Sequence, residues 1–345
     1  MSAEELSDRQ KLILELVVRE YVDSAAPVGS RVLSERYDLQ VSSATVRNEM
    51  AFLEELGYLT HPHTSAGRLP TDRGYRYFVE RLMGEAMLPL SERRMIQHQF
   101  HQVHRELGQW MSLAAAVLAH TARSAALVTA PQTPESFFKH MELIHVHDLT
   151  ALLVLVTKTG LVRQEVLTLV QPLSQETLSR IARRLNEVLD GLTAKDIEPH
   201  LVEMSAFESD VAQMVRDMML QLDKRGGREV YQFGVGNVLA EPEFSTGELA
   251  RQLLGLFERD AVLEHTLSGL LGVGAGDVRV IIGAEGPWEQ LPDLSLVLSQ
   301  YGVRDVAVGT LGVLGPRRMS YERAVSSVRF VSGLLSDLVC DWYGL

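Results

Sequence analysis

The residues with the clearest chemical meaning lie in Val41-Ser-Ser-Ala-Thr-Val-Arg-Asn-Glu-Met50. Ser42 or Ser43 can cap a helix that runs to Leu56 and stops at Gly57. Val46, Met50, Leu53 and Leu56 then fall on one apolar stripe, while Thr45, Arg47, Asn48 and Glu49 sit on or near the polar side of the first turns. Arginine can read guanine in a bidentate way and asparagine can read adenine. The Ser42 and Ser43 hydroxyls, with the free N–H groups of a helix start, can hold a phosphate. These residue types in this order point to a helix that enters the major groove of double-stranded DNA.

A second constellation follows in His61-Pro-His-Thr-Ser-Ala-Gly-Arg-Leu-Pro70. Tyr58–Thr60 and Arg68-Leu69 read as two short strands, with Pro62 and Gly67 as punctuation between them. The tip of such a ribbon would carry His63, Thr64, Ser65 and Arg68 toward the DNA backbone or minor groove. Thr71-Asp72 then caps a helix from Arg73 to about Met83, where Arg73, Arg76 and Tyr77 can add phosphate contacts or orient the next domain.

Helices must position these groups. Ser7-Asp8 caps a helix from Arg9 to about Asp23, with Leu12, Ile13, Leu16, Val17 and Tyr21 at helical spacing. Ala26-Pro27-Val28-Gly29 breaks it, and a helix of barely two turns, Arg31–Arg36, follows. Ser30 and Arg31, at its start, join the candidate DNA contacts. Tyr37–Gln40 is the turn. A short helix, a turn and a reading helix followed by a ribbon form a winged helix-turn-helix. Short trihelical segments also serve as protein-interaction modules, and it is the ribbon that favours DNA.

Composition bounds the alternatives. The chain has 345 residues, enough for two or three domains, and 46% are hydrophobic. The single Cys340 excludes a disulfide framework and any cysteine-rich zinc site. Met1–Glu5 is acidic and lacks the apolar core of a signal peptide. Apolar runs such as Leu113–Leu118 and Ala151–Val156 are too short to span a bilayer, so a cytoplasmic protein with no membrane partner is expected. Net charge is −12, which taken alone opposes DNA binding, but residues 1–83 carry only −3 of it. From residue 61 to 83, Arg68, Arg73, Arg76 and Arg81 face only Asp72 and Glu80. Phosphate affinity needs a local positive surface rather than a positive protein.

Beyond residue 84 a helical connector is expected to run to about 123, interrupted at Pro89 and restarting near Ser91. Its His98, His101, His104 and His120 read as surface residues rather than a metal site, because no carboxylate or cysteine stands at fixed range. His140, His145 and His147 read as an exposed strand face. Period-two patterns predict strands at Ser124–Ala130, His140–His147, Thr150–Thr157 and Val162–Leu169. Helices are expected at Gln175–Leu189, Ser205–Leu222, Thr246–Phe257 and Asp260–Leu267, with a short strand at Glu229–Phe233. Strands return at Val278–Gly283, Leu294–Ser299 and Val306–Leu314, before a helix from Tyr321 to about Trp342. Either one domain split by an insertion or two tandem domains would give that order. Gly269–Gly276 has no following lysine and does not open a helix after a strand, so no phosphate loop is read there. No catalytic triad or metal motif is present, so the chain is not expected to be an enzyme.

Several segments resemble the bacterial heat-inducible transcription repressor HrcA family. They are Leu6–Leu14, Pro27–Ser30, Val41–Met50, Leu53–Gly57 and Pro62–Tyr77, then Phe233–Leu239 with Pro242–Phe244, Ile282-Gly, Leu296–Gly302 and Gly309–Met319. The family usually has Ile where this chain has Leu69, a swap that preserves packing. The resemblance implies an α+β multidomain chain: a winged helix-turn-helix at 1–84, the helical connector at 85–123, a GAF-like α/β domain in two segments, 124–170 and 276–345, and an inserted, mainly helical dimerising domain at 171–275. It implies repression of heat-shock chaperone operons of the groE and dnaK type by a homodimer on an inverted-repeat operator, with the GroEL chaperonin modulating activity. It assigns the reading role to Ser42, Ser43, Thr45, Arg47 and Asn48 and the wing role to His63, Thr64, Ser65, Gly67 and Arg68. No cofactor is expected. The alternative is a winged-helix regulator that senses a ligand or metal through its GAF-like domain.

Overall fold

The computed structural model describes residues 6–63, 67–103, 106–132, 135–158, 160–225, 229–244, 247–258, 277–286, 291–304 and 306–343. The expected helix Asp260–Leu267 and the glycine-rich stretch 269–276 lie outside the described residues, as do Thr64, Ser65 and His104. The chain folds with both helices and sheets, consistent with an α+β class. It forms two compact units: Met1–Pro131, Glu229–Val303 and Gly309–Leu345 make the first, and Gln132–Arg228 with Arg304–Val308 makes the second.

The first unit begins with helices α1 (Asp8–Ser24), α2 (Ser30–Arg36) and α3 (Ser43–Glu55), then strands β1 (Leu59–Thr60) and β2 (Leu69–Pro70). Ser7 closes a capping box at α1: Gln10 N donates to Ser7 Oγ, and Ser7 N donates to the Gln10 side chain. Ile13, Leu14, Val17 and Val18 of α1 are buried, as are Leu33 of α2 and Val46, Met50 and Leu53 of α3. Glu20 is buried too, but Arg36 Nη1 (2.5 Å) and Tyr37 Oη (3.2 Å) both donate to it, which satisfies its charge and pins α2 to α1. β1 and β2 pair antiparallel, Leu59 opposite Pro70 and Thr60 opposite Leu69. Val28 and Arg68 extend the ribbon by exchanging backbone hydrogen bonds of 2.9 and 2.8 Å. Helix α4 (Asp72–Tyr77) follows and continues through a π-helical segment, Phe78–Leu82.

The rest of the first unit is layered. A five-stranded sheet has the order β7 (Val230–Phe233), β3 (Ala125–Thr129), β10 (Ala307–Pro316), β9 (Leu294–Val303), β8 (Val278–Ile282). Strand alternation sends Ala125, Leu127, Leu294, Leu296 and Leu298 to one face, where Val238 of α10 (Val235–Leu239) and Leu253 and Phe257 of α11 (Gly247–Phe257) cover them. On the other face lie α6 (Leu107–Ala122), against β3, and the long closing helix α12 (Tyr321–Tyr343), against β9. Helix α6 buries Trp110, Met111, Ala114, Ala115 and Leu118, so this part of the expected connector is a core layer. Helix α5 (Leu90–Gln102) precedes it, starting after Pro89.

The second unit is a three-stranded antiparallel sheet, β4 (Phe138–His147), β5 (Thr150–Thr157) and β6 (Val162–Thr168), packed on α7 (Gln175–Leu189), α8 (Ala194–Ile197) and α9 (Ala206–Arg225). The segment 124–170, read as one piece from sequence, thus gives β3 to the first unit and β4–β6 to the second. One sheet face is filled: Met141, Leu143, Leu153 and Leu155 meet Leu178, Leu185, Val215 and Met219 of the helices. Among the described residues the opposite face is uncovered. Register places Ile144 beside Leu152 and Val166, Glu142 beside Val154 and Gln164, and His140 beside Val156 and Val162. Ile144 is 43% exposed, Val162 61% and Val166 62%.

Candidate nucleic-acid interface

Ser42 caps α3 by accepting a 3.2 Å hydrogen bond from Thr45 N, and its hydroxyl lies 3.0 Å from Thr45 Oγ1. A cap of this kind is worth about 1 kcal/mol and fixes where the helix starts. Burial of Val46, Met50 and Leu53 turns the opposite side of α3 outward. Ala44, Arg47 and Asn48 are exposed, and Ser43, Thr45 and Glu49 are half-exposed. Glu49 would oppose DNA, but Gln10 Nε2 donates to it at 3.1 Å and Arg9 Nη1 stands 3.6 Å away. Among the described residues, Arg47 and Asn48 have no side-chain hydrogen bond or ion pair within the chain. The first turns of α3 therefore present a cation, an amide and a helix N-terminus together.

The other residues singled out from sequence divide into presented and internally spent groups. Arg31 is exposed on α2 and forms a 2.6 Å ion pair with Glu35, also exposed. Ser30 is buried, its hydroxyl 3.2 Å from Ser43 Oγ, so it joins the starts of α2 and α3. His63 is exposed on the ribbon loop. Gly67 lies so close to Val28 that a Cβ there would stand 2.5 Å from its carbonyl. Arg68 is 2.7 Å from Glu54, at the end of α3. Arg73 Nη1 donates to Leu56 O at 2.7 Å, and its guanidinium lies 4.6 Å from the centre of the Tyr58 ring. Arg76 donates to Val280 O at 2.9 Å and pairs with Glu285. Sequence reasoning missed Glu54 and Glu49 as internal anion hubs and Arg9 as a cation beside α3. No local pattern announces them, because each pairs with a residue from a different element.

Among the described residues no group of three or more His, Cys, Asp or Glu is placed to hold a metal ion, and no helix is long and apolar enough to cross a membrane. Burial raises the Tyr321 hydroxyl well above its ordinary value, so it stays protonated and donates to Arg317 O at 2.6 Å.

Residues 108–325 match the family described as HrcA protein C terminal domain. The heat-inducible transcription repressor HrcA of Herpetosiphon aurantiacus is 47% identical over 99% of this chain and 97% of its own length. That of Roseiflexus castenholzii is 44% identical, covering 99% and 96%, and that of Thermomicrobium roseum is 41% identical, covering 99% and 97%. A crystal structure of a hypothetical protein shares the fold with a TM-score of 0.58 at 23% identity, covering 98% of this chain and 99% of that one. By its length and degree of identity to these repressors, the chain belongs to the HrcA family of heat-inducible transcription repressors.

Proposed function

We propose that the chain represses heat-shock chaperone operons as a homodimer, with α3 of each copy reading one half of an inverted-repeat operator. Residues 1–84 act as the winged helix-turn-helix: α2 and α3 are its paired helices and the β1–β2 ribbon is its wing. The observation that carries this reading is the outer face of α3, where Arg47 and Asn48 are exposed and have no partner within the chain among the described residues. A protein uses such groups on base edges and phosphates. The layered sheet domain of the first unit takes the GAF-like role. The second unit, Gln132–Arg228, takes the role of the inserted dimerising domain, beginning earlier than the 171–275 expected from sequence.

One reading head gives modest specificity, and two-fold symmetry matches an inverted repeat. The open face of β4–β6 supports a second copy of the chain as its occupant. Ile144, Leu152, Val154, Val156, Val162 and Val166 form its apolar field, and Glu142 and His140 flank it with a hydrogen bond of 2.9 Å between them. The apolar faces of α7 and α9 are buried against the inner face of the same sheet. The likeness to HrcA repressors supports GroEL as the partner that sets the fraction of folded, binding-competent dimer.

Footprinting on genomic DNA with wild type and Arg47→Ala tests the reading. The expected result is a protected inverted repeat upstream of chaperone genes, with Arg47→Ala losing about 1–3 kcal/mol of discrimination between operator and random duplex. Equal affinity of the wild type for operator and random duplex would overturn it.

A further inference from the structure

The first unit holds its N-terminal helices against the layered sheet domain through a built junction. Helix α4 is shared by both sides. Toward α3, Thr71 Oγ1 donates to Gly57 O at 2.7 Å, and Arg73 donates to Leu56 O at the end of the reading helix. Toward the sheet, Asp72 accepts from Arg317 Nη1 at 3.0 Å and from Ala284 N at 3.1 Å. Gly283 makes that approach possible: its φ is +51°, and a Cβ there would stand 2.7 Å from the Asp72 carboxylate. Arg76 reaches Val280 O and Glu285, and the buried Tyr75 ring lies 5.7 Å from the buried Tyr321 ring.

A second tie holds α1. Arg19 pairs with Glu322 through two hydrogen bonds of 3.0 and 2.6 Å. Arg318 donates to Val22 O at 3.2 Å while Glu243 and Glu241 hold its other nitrogens. Bidentate arginine pairs fix orientation as well as distance. Ties on two helices prevent rotation as well as separation. The outer face of α3 takes no part: Ala44, Arg47 and Asn48 remain exposed in the docked arrangement. The junction therefore does not mask the reading helix. It fixes where that helix points.

We propose that Asp72 and Arg317 are positioning residues that lock the reading helix to the C-terminal sheet, so that the dimer selects operators by the spacing of their half-sites. The proposal rests on the dimeric operator reading above. Each base pair added between half-sites moves them apart by about 3.4 Å and rotates them by about 34°. A head on a flexible tether tolerates that change, and a clamped head does not.

The test uses the full-length protein and synthetic duplexes with identical half-sites, spacers altered by one or two base pairs, and a single half-site control. Wild type is expected to lose affinity on the order of tenfold at each wrong spacing, the scale of a mismatched base pair. Asp72→Asn and Arg317→Met are expected to flatten that dependence while leaving single half-site affinity and dimer mass unchanged. Tyr75→Phe, which removes a buried hydroxyl with no hydrogen-bond partner among the described residues and keeps the ring, is expected to retain the wild-type spacing profile. Thermal melts identify any variant that unfolds, and Gly283→Ala then serves in its place. Wild-type indifference to spacing, or variants weakened equally at every spacing, would overturn the proposal. Failure of the wild type to prefer any inverted repeat over random duplex would instead sink the functional reading beneath it.

Discussion

Arg68 Nη2 stands 2.7 Å from Glu54 Oε2, joining the return strand of the ribbon to the last turn of α3. His61, on the outgoing side, also contacts Glu54. The backbone of Arg68 is tied at the same time to Val28, so one residue links the α1–α2 loop, the ribbon and α3. From sequence Arg68 read as a wing contact to DNA. Its guanidinium has a structural partner, and about four-fifths of that side chain is already shielded, with 21% exposed.

A double-mutant cycle on Arg68 and Glu54 should show this coupling. Arg68→Ala and Glu54→Gln are each expected to lower the melting temperature, with a coupling energy of about 0.5–1 kcal/mol in the cycle, because the pair is partly shielded from solvent. Arg68→Ala with an unchanged melt and reduced DNA affinity alone would assign the side chain to DNA instead.

The open sheet face makes a prediction about assembly. Ile144→Glu and Val166→Glu place charges on the exposed apolar rows without touching the core beneath. Sedimentation velocity should show each variant shifted from dimer to monomer while far-ultraviolet circular dichroism stays as in the wild type. Leu153→Glu, on the filled face, is expected to unfold the second unit, since Leu153 is fully buried. A dimer that survives both surface substitutions would place the interface elsewhere.

Gly74 lies on α4 with Tyr58 O only 2.2 Å from where a Cβ would be. Backbone cannot yield as a flexible side chain does, so Gly74→Ala must push α4 away from β1. The expected cost is about 1–3 kcal/mol, read as a lowered urea midpoint with an unchanged slope. Since α4 carries the junction, the same variant should also broaden spacing tolerance. An unchanged midpoint would show that the helix repacks freely.

Acid stability should carry the signature of Glu208. Ser205 donates to this carboxylate from its hydroxyl at 2.7 Å and from its backbone N–H at 3.0 Å, and Arg184 stands 3.3 Å away. The Ser205 hydroxyl bond first, and then its backbone bond and Arg184, hold the Glu208 pKa below the ordinary carboxylate value, against the opposing effect of burial. A depressed folded-state pKa gives stabilisation that is complete above the unfolded value and is lost as pH falls through the folded one. Wild type is therefore expected to lose stability below about pH 4, and Glu208→Gln to start about 1 kcal/mol less stable near neutrality with a shallower acid slope. Equal acid slopes in the two proteins would remove Glu208 from that transition.

Much of the element order was legible because periodicity is a local property. The expected helix Gln175–Leu189 and strand Thr150–Thr157 match α7 and β5 residue for residue. A serine cap at Ser42 or Ser43 follows from residue type and a downstream apolar stripe, and the structure makes it Ser42. Partnership is different. The alternation of β5 shows that it has two faces, but only pairing with β4 and β6 shows that helices fill one and leave the other open. The apolar pattern of α6 fits a connector or a core helix equally, and its place against β3 decides for the core.

The sequence by itself determined helix α3, a serine cap at its start, its apolar back and its polar front, and with the dense motif likeness it determined the family. Those properties depend on residues a few positions apart, where chain geometry leaves little choice. Only the tertiary structure decided which cations stay exposed and which are paired within the chain. Arg47 stays exposed while Arg68, Arg73 and Arg76 find Glu54, Leu56 O and Glu285. Their fates depend on groups up to 209 residues away in the chain, and an ion pair leaves no trace in sequence until folding brings its partners within reach.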